Sequence, residues 1–307
     1  MSCLSNAFGP AARIIAITVA GLAGAAGSAW MLPAGRAWAQ GAVLHAPEPS
    51  SVEYGFLNNS DMDKAGTLSV ELDSVGIFGR RGRNFASADT QLSLAYAVSD
   101  HVQVTIGPQF TLAAMHVVPG LPDGARAVVG GVGGDLRLRL VDRRTNPFGL
   151  TLQLTPQLRF ADEAVRGGIA YGLAVNLAID RELIANSLFG TLNLTYELNQ
   201  AHVDGIPGWD RGTRLGFGLG LATRVTNTLH VGAEFRYLRR HDGFGIGRFQ
   251  GQALYLGPTI YAEFGRNWWA SLSWQAQISG HEAGNPRDMD LIGFERHQVR
   301  LRLGYEF

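Results

Sequence analysis

The chain has 307 residues with 26 basic and 26 acidic side chains, so its formal net charge is zero. This balance gives no indication of a nucleic-acid partner. The mean hydropathy of +0.03 excludes a bundle of membrane helices, but it suits a barrel in which only alternate residues meet lipid.

The N-terminal residues have the pattern of an export signal. Arg13 precedes the single long apolar run, Ile14–Gly35, and Ala37 and Ala39 after it fit a small-x-small cleavage site. We therefore predict a signal peptide over residues 1–39, with an uncleaved helical anchor as the alternative. The single cysteine, Cys3, lies inside this segment, so the exported chain is expected to have no disulfide.

Residues 40–64 contain Pro, Asn and Asp without a clear period, and we predict a periplasmic N-terminal leader there. Asp61-Met62-Asp63 resembles the opening of a calcium-binding loop. Position 12 of that loop is Leu72 rather than the bidentate Glu, so no metal site is predicted.

From Gly66 onwards, apolar and polar residues alternate with period 2, as in strands with two different faces. The pattern repeats about twelve times at roughly 10 residues per strand, the length that crosses a bilayer when tilted. We predict an all-β fold over residues 65–307: a closed antiparallel up-and-down transmembrane β-barrel of about 12 strands, with 10 or 14 as alternatives. The predicted strands contain residues 68–72, 92–98, 102–112, 136–140, 148–160, 171–179, 188–198, 215–221, 231–237, 254–264, 268–278 and 295–307.

The connections between these strands alternate in length. The odd connections are mostly long and rich in glycine, and the even ones are mostly short, as in barrels with long extracellular loops and short periplasmic turns. This alternation predicts that both termini are periplasmic. Pro108, Pro156 and Pro258 fall inside predicted strands, where a missing backbone donor predicts a bulge or kink.

One parity of the strands carries Leu, Val, Ile and aromatic residues with almost no charge, as a lipid-facing wall requires. A soluble β-sandwich with these residues in its core is the alternative. The other parity is expected to line a lumen. Its charged candidates are Arg137, Arg139, Arg159, Glu197, Arg224, Glu234, Arg236, Glu263, Arg300 and Arg302.

The last strand also suggests how the barrel closes. If it pairs with the first, Arg300 and Arg302 approach Glu71 and Asp73 inside the barrel, and these ion pairs would help to fix the closing register. The slight excess of arginine on the lumen parity suggests anionic solutes.

Signals for catalysis are weak, and we predict no enzyme activity and no cofactor. Ser99-Asp100-His101 is explained by turn chemistry, and no His-x-Ser pattern of outer-membrane phospholipases occurs. His241-Asp242 and His281-Glu282 fall in predicted loops, where solvated side chains are expected. The glycine-rich runs 216–220 and 243–247 do not lie at strand-to-helix junctions, as phosphate loops would.

The apolar alternation that ends at Phe307 resembles the C-terminal signal of bacterial outer-membrane β-barrels. That resemblance implies recognition by the barrel-insertion machinery and residence in the outer membrane, among its lipids. Residues 94–104 resemble a strand-turn-strand unit of outer-membrane transporter families. Residues 256–259 and 267–269 resemble the family associated with meta-pathway phenol degradation, which implies passage of a small, aromatic compound.

Three functional hypotheses follow. The first is a passive channel or transporter for small solutes, aromatic or anionic ones among them. The second is a non-conducting structural or surface-interaction barrel, and the third is an outer-membrane hydrolase.

Overall fold

The computed structural model describes residues 52–80, 85–116, 123–285 and 288–307. The predicted signal peptide and residues 40–51 of the predicted leader lie outside these ranges. No helix in the described ranges is long and apolar enough to span a membrane. The strands are β1 (Leu68–Phe78), β2 (Phe85–Ser99), β3 (Val102–Met115), β4 (Gly124–Val141), β5 (Gly149–Ala161), β6 (Gly167–Ile184), β7 (Leu188–Val203), β8 (Asp210–Arg224), β9 (Leu229–Asp242), β10 (Phe249–Phe264), β11 (Trp268–Glu282) and β12 (His297–Glu306).

The twelve strands form one closed antiparallel barrel. Each strand pairs with its neighbours in the chain, and β1 pairs with β12 from Ser69 opposite Glu306 to Phe78 opposite His297. Closure leaves no strand with an unpaired edge. The predicted all-β fold, the up-and-down topology and the count of twelve are confirmed.

The distribution of polarity is the reverse of that in a soluble protein. The outward residues Leu94, Ile106 and Leu272 are 47%, 61% and 47% exposed. Inward polar residues such as Glu234 and Gln275 are fully buried. The apolar rows therefore do not lie beneath a second layer, and the alternative of a soluble β-sandwich is wrong.

The two ends of the barrel differ. Residues 100–101, 142–148, 185–187, 225–228 and 265–267 join strands at one end, which also holds the start of β1 and the end of β12. We call this the turn end, and the opposite end the loop end. Several strands extend further towards the loop end than predicted, because antiparallel pairing continues where the apolar alternation has already faded.

The three prolines inside strands face outwards and interrupt the ladder on one side. Pro108 is aligned with Val132 on β4, whereas the pairing of β3 with β2 is broken around it. Pro156 and Pro258 show the same one-sided interruption with β4 and β11. The predicted local irregularities are present, and the missing backbone donor accounts for each.

Candidate functional site

Residues 52–63 lie inside the barrel, where they form a segment that we call the plug. The plug enters and leaves at the turn end, since Asn59 donates to the carbonyl of Val52 and Asp61 accepts from Arg143 in the β4–β5 turn. Its apex at Phe56 reaches the level of Arg236 on β9, whose guanidinium lies 4.1 Å from the ring centroid. These residues belong to the predicted periplasmic leader, and in the structure lumen side chains satisfy their backbone groups.

Glu234 is the main anchor of the apex. Its carboxylate accepts hydrogen bonds from the backbone N–H groups of Gly55 and Phe56, both at 2.8 Å, and from the hydroxyl of Ser273 at 2.6 Å. The side chain is completely buried. A buried carboxylate needs several donors to replace its lost water, and two of these donors belong to the plug.

Other strands hold the descending half of the plug. Asn193 on β7 accepts from the N–H of Asn58 and donates to its carbonyl, both at 2.8 Å. On β4, Arg137 donates to the carbonyl of Asp61 at 2.8 Å, and Arg139 donates to that of Met62 at 2.9 Å. Side chains of the wall thus bond to the backbone groups of the plug, where a neighbouring strand would use its own backbone.

A row of glycines on β8 makes room for the plug. Gly218 and Gly220 have the inward parity, and a methyl group at Gly218 would overlap the side chain of Leu57. At Gly220 the added carbon would lie 2.8 Å from Cε1 of Tyr54. Leu57 and Tyr54 instead pack with Val52, Phe189, Ala222 and Tyr261 in an apolar cluster inside the lumen. The glycine run of β8 therefore serves close packing, not phosphate binding.

A cavity of about 800 Å³ remains between the plug and a wall formed mainly by β10–β12 and β1–β5. It opens at the turn end, where Asn227, Arg266 and Asn267 line its rim. Its deeper wall includes Asp73, Gln91, Asp135 and Gln153. This volume lies in the range of small-molecule binding sites.

The structure divides the ten charged residues of the predicted lumen into three groups. Arg137, Arg139, Arg224, Glu263, Arg300 and Arg302 line the cavity at the turn end. Glu234 and Arg236 contact the plug. Arg159 and Glu197 lie nearer the loop end, where they pair with Asp89 at 2.9 Å and Arg214 at 3.2 Å.

The seam between β1 and β12 carries two charged pairs. Arg300 donates from Nε and Nη2 to the carboxylate of Asp73 at 2.9 and 2.6 Å. Arg302 donates from Nε to Glu71 at 2.7 Å, and from Nη1 to Glu53 of the plug at 2.8 Å. Sequence reasoning placed Arg302 opposite the first strand, but it did not anticipate that the same side chain also holds the plug.

A second segment narrows the lumen at the loop end. Residues 288–296 of the β11–β12 connection, which we call the inner loop, fold inwards. Tyr255 donates to the carbonyl of Glu295 at 2.7 Å, and Arg240 donates to that of Gly293 at 3.0 Å. Phe294 is 2% exposed and packs against Ala253 and Tyr255. Burial in the same loop raises the pKa of Asp290.

The β4–β5 turn carries a third charged group beside the cavity. Asp142 accepts hydrogen bonds from the side chain and the backbone N–H of Arg144, at 2.7 and 2.9 Å. These bonds hold the pKa of Asp142 at about 2. The turn is thus fixed by an exposed charged pair rather than by packing.

Among the described histidines, His116 lies 3.5 Å from a carboxylate oxygen of Asp123 at the exposed loop end. His230 is 1% exposed between the rings of Phe189 and Tyr261, and neither ring nitrogen has a hydrogen-bond partner. Within the described ranges, no three His, Cys, Asp or Glu side chains are grouped closely enough to hold a metal ion. His241 and His281 lie in strands β9 and β11, not in the loops expected from the sequence.

Comparison of the structure with solved proteins shows the same architecture elsewhere. The COG4313 outer membrane channel from Pseudomonas putida F1 is 13% identical, with a TM-score of 0.53 over 84% of this chain and 100% of that chain. The β domain of the Bordetella autotransporter BrkA is 14% identical, with a TM-score of 0.49 over 80% of this chain and 100% of that one. At 13% identity, the similarity to the COG4313 channel shows that the two proteins share a fold.

Fold and site together define a class: closed antiparallel barrels of the outer-membrane type, with an apolar outer wall and a polar, plugged lumen. The chain belongs to DUF6662, a family of unknown function whose model matches residues 50–307. The resemblance to the phenol-degradation family is not confirmed by this match. No curated protein matches the chain.

Proposed function

We propose that the protein is an outer-membrane channel or transporter for small solutes, and that the plug controls its conductance. The turn end faces the periplasm in this proposal, and the loop end faces the exterior. The single observation that carries it is the cavity of about 800 Å³ beside a plug held by side-chain hydrogen bonds. Displacement of the plug would join this cavity to the space that the plug now fills.

The charges of the cavity bear on the kind of solute. Arg300 and Arg302 are paired with carboxylates, and Arg137 and Arg139 donate to carbonyls of the plug. The arginine excess that suggested anions is therefore largely engaged within the protein. Tyr261, Trp268 and Trp269 also line the cavity, which supports a small polar or aromatic solute over a strongly anionic one.

Single-channel recording in planar bilayers tests the proposal. We expect the full chain to conduct weakly and the double substitution Gly218→Val with Gly220→Val to raise conductance, since the new side chains occupy the space of Leu57 and Tyr54. Gly216→Val is the matched control, because its added carbon would meet Thr195 and Leu238 of the wall at 3.2 and 3.4 Å. Equal conductance of the wild-type chain and the double variant, both folded, would contradict the proposal.

A non-conducting structural or surface-interaction barrel is the second candidate. The observation that favours it is that the plug and the inner loop are both docked in the lumen. In that case the double variant stays closed, because the docked inner loop would block the narrowed lumen at the loop end even without the plug.

We also propose that the protein transforms no substrate. The buried His230 contacts aromatic rings, and the lumen carboxylates Glu234 and Asp73 accept hydrogen bonds from the plug or from an arginine. Ser273 donates to Glu234 at 2.6 Å, but that carboxylate also accepts from two backbone N–H groups of the plug, and both side chains are buried away from any substrate. Hydrolysis of ester substrates by the folded protein in detergent would refute this assignment.

A further inference from the structure

A cluster of basic and aromatic side chains faces outwards at the loop end of β9–β11. The two chain neighbours of Arg239 both point into the lumen. Leu238 packs on the cluster around Phe294, and Arg240 donates to the carbonyl of Gly293. Successive side chains of a strand point to opposite faces, so Arg239 lies on the outer wall. The cluster is therefore on the membrane side of the barrel.

Phe249 is the centre of this cluster. The guanidinium of Arg239 lies 4.8 Å from its ring centroid, and the ring of His281 stacks on it at 6.2 Å and 10°. His241 meets the same ring edge-on at 6.3 Å. One aromatic ring on β10 thus contacts an arginine and two histidines on the two neighbouring strands, β9 and β11.

Arg239 has no carboxylate partner in the part of the chain that the structure describes, and its buried Nε atom has no hydrogen-bond partner. Most other arginines of the barrel are engaged: Arg159, Arg300 and Arg302, for example, each bond to an acidic side chain. A positioned guanidinium without an anion, on an outer wall, calls for an anion supplied from outside the chain.

The position of Arg239 along the barrel fits a headgroup and not an acyl chain. Eight residues separate it from Val231 at the turn end of the same strand. At about 3.3 Å per residue and a tilt of about 40°, Arg239 lies roughly 20 Å further along the barrel axis, near the far edge of an apolar band about 25 Å tall. A charge there costs little, whereas one at the midplane is strongly unfavourable.

The neighbouring strand continues the pattern. Arg211 at the loop end of β8 bonds to Gln200 and lies 5.5 Å from the ring centroid of Phe244. Trp209 stacks on Tyr171 beside it at 6.2 Å. Aromatic rings with interspersed arginines are typical of the level at which lipid headgroups lie.

We propose that Arg239, with His281 and Phe249, binds the phosphate group of a phosphorylated lipid in the leaflet at the loop end. The planar guanidinium can donate two parallel hydrogen bonds to phosphate oxygens, and His281, which is exposed, can add a third. This proposal rests on the membrane orientation proposed above, but not on conduction by the lumen.

Native mass spectrometry of the full chain in detergent tests the proposal with two probes: a phosphorylated, acylated diglucosamine and the same lipid without phosphate. We expect the wild-type protein to prefer the phosphorylated lipid by about tenfold, as loss of a charge-assisted contact predicts. Arg239→Gln should remove most of this preference, and His281→Gln part of it. Arg248→Gln is the control, because Arg248 is 78% exposed in a loop and pairs with Asp242.

Equal binding of the two lipids by the wild-type protein would overturn the proposal, as would an unchanged preference in Arg239→Gln. Folding of each variant is checked by the shifted mobility of the unheated barrel on a denaturing gel. Conductance of Arg239→Gln should equal that of the wild type, so failure of lipid binding and failure of the channel proposal remain distinguishable.

Discussion

Removal of the Glu234 carboxylate is the sharpest test of how the plug is held. Glu234→Ala leaves the N–H groups of Gly55 and Phe56 without their acceptor. Hydrogen bonds to a charged group contribute about 1.5–3 kcal/mol each, so loss of both would destabilise the docked plug by at most about 3–6 kcal/mol. Water can enter the vacated space and replace part of this, so we expect the lower end, a shift of at least about 100-fold towards the undocked plug.

The assay is the rate at which a thiol reagent labels Phe56→Cys, introduced with and without Glu234→Ala. Cys3 is the sole native cysteine, and it lies in the predicted signal peptide, so the new thiol would be unique in the exported chain. Docking protects position 56 beneath Arg236, and undocking exposes it. Glu263→Ala is the control, since Glu263 lines the cavity and accepts from Tyr261. Labelling that is equally fast with and without Glu234→Ala would refute the assigned role of the carboxylate.

Three further predictions concern the seam, the turn and the inner loop. Arg300→Ala should cost about 1–3 kcal/mol and lower the temperature at which the folded gel band is lost, and the exchange Arg300→Asp with Asp73→Arg should restore most of it. The pKa of Asp142 is lowered from 3.8 to about 2 in the folded protein. Its contribution to stability is therefore complete above about pH 4 and is lost as the pH falls through about 2. Asp142→Asn should remove this part of the acid dependence of unfolding. Phe294→Ala should release the inner loop, since truncation of a buried Phe costs roughly 3–5 kcal/mol. Proteolysis within residues 288–296 should then become faster. Ile292→Ala, at a position that is 52% exposed, should leave the rate of proteolysis unchanged.

The barrel itself could be predicted because its physics is repetitive. Each crossing of a bilayer needs an apolar face, so residues such as Leu92, Leu94 and Leu272 recur with the same parity in every strand. Closure followed from the same pattern, as did the approach of Arg300 to Asp73 across the β1–β12 seam. Strand ends were less predictable, because pairing beyond the apolar band depends on the partner strand and not on hydrophobicity.

The plug could not be predicted in the same way. Residues 52–63 are held through backbone groups, and backbone hydrogen bonding leaves no periodic signal in side-chain type. One signal was present on the opposite surface: glycine at 216, 218 and 220 on the lumen parity of β8. A lumen that only held water would not need glycine at 218 and 220, whereas the plug packs against the wall at these two positions.

The inner loop was missed for a related reason. The alternation leaves residues 279–294 as a long connection between the last two predicted strands, and Phe294 alone gives little indication of burial. Its burial depends on Ala253 and Tyr255, which are on the lumen parity of a different strand. Such contacts are set by closure of the barrel, so they follow from the fold and not from the local sequence.

The arrangement of the plug also explains why it is suited to control of the lumen. Both of its ends are at the turn end, and its apex is held mainly by one carboxylate and by packing in the glycine row. The wall remains a complete hydrogen-bonded cylinder without it, because every strand is already paired on both sides. Undocking therefore breaks the contacts of a single segment and leaves the hydrogen bonds between the strands intact. The free energy of undocking is for this reason small compared with the free energy of unfolding of the barrel.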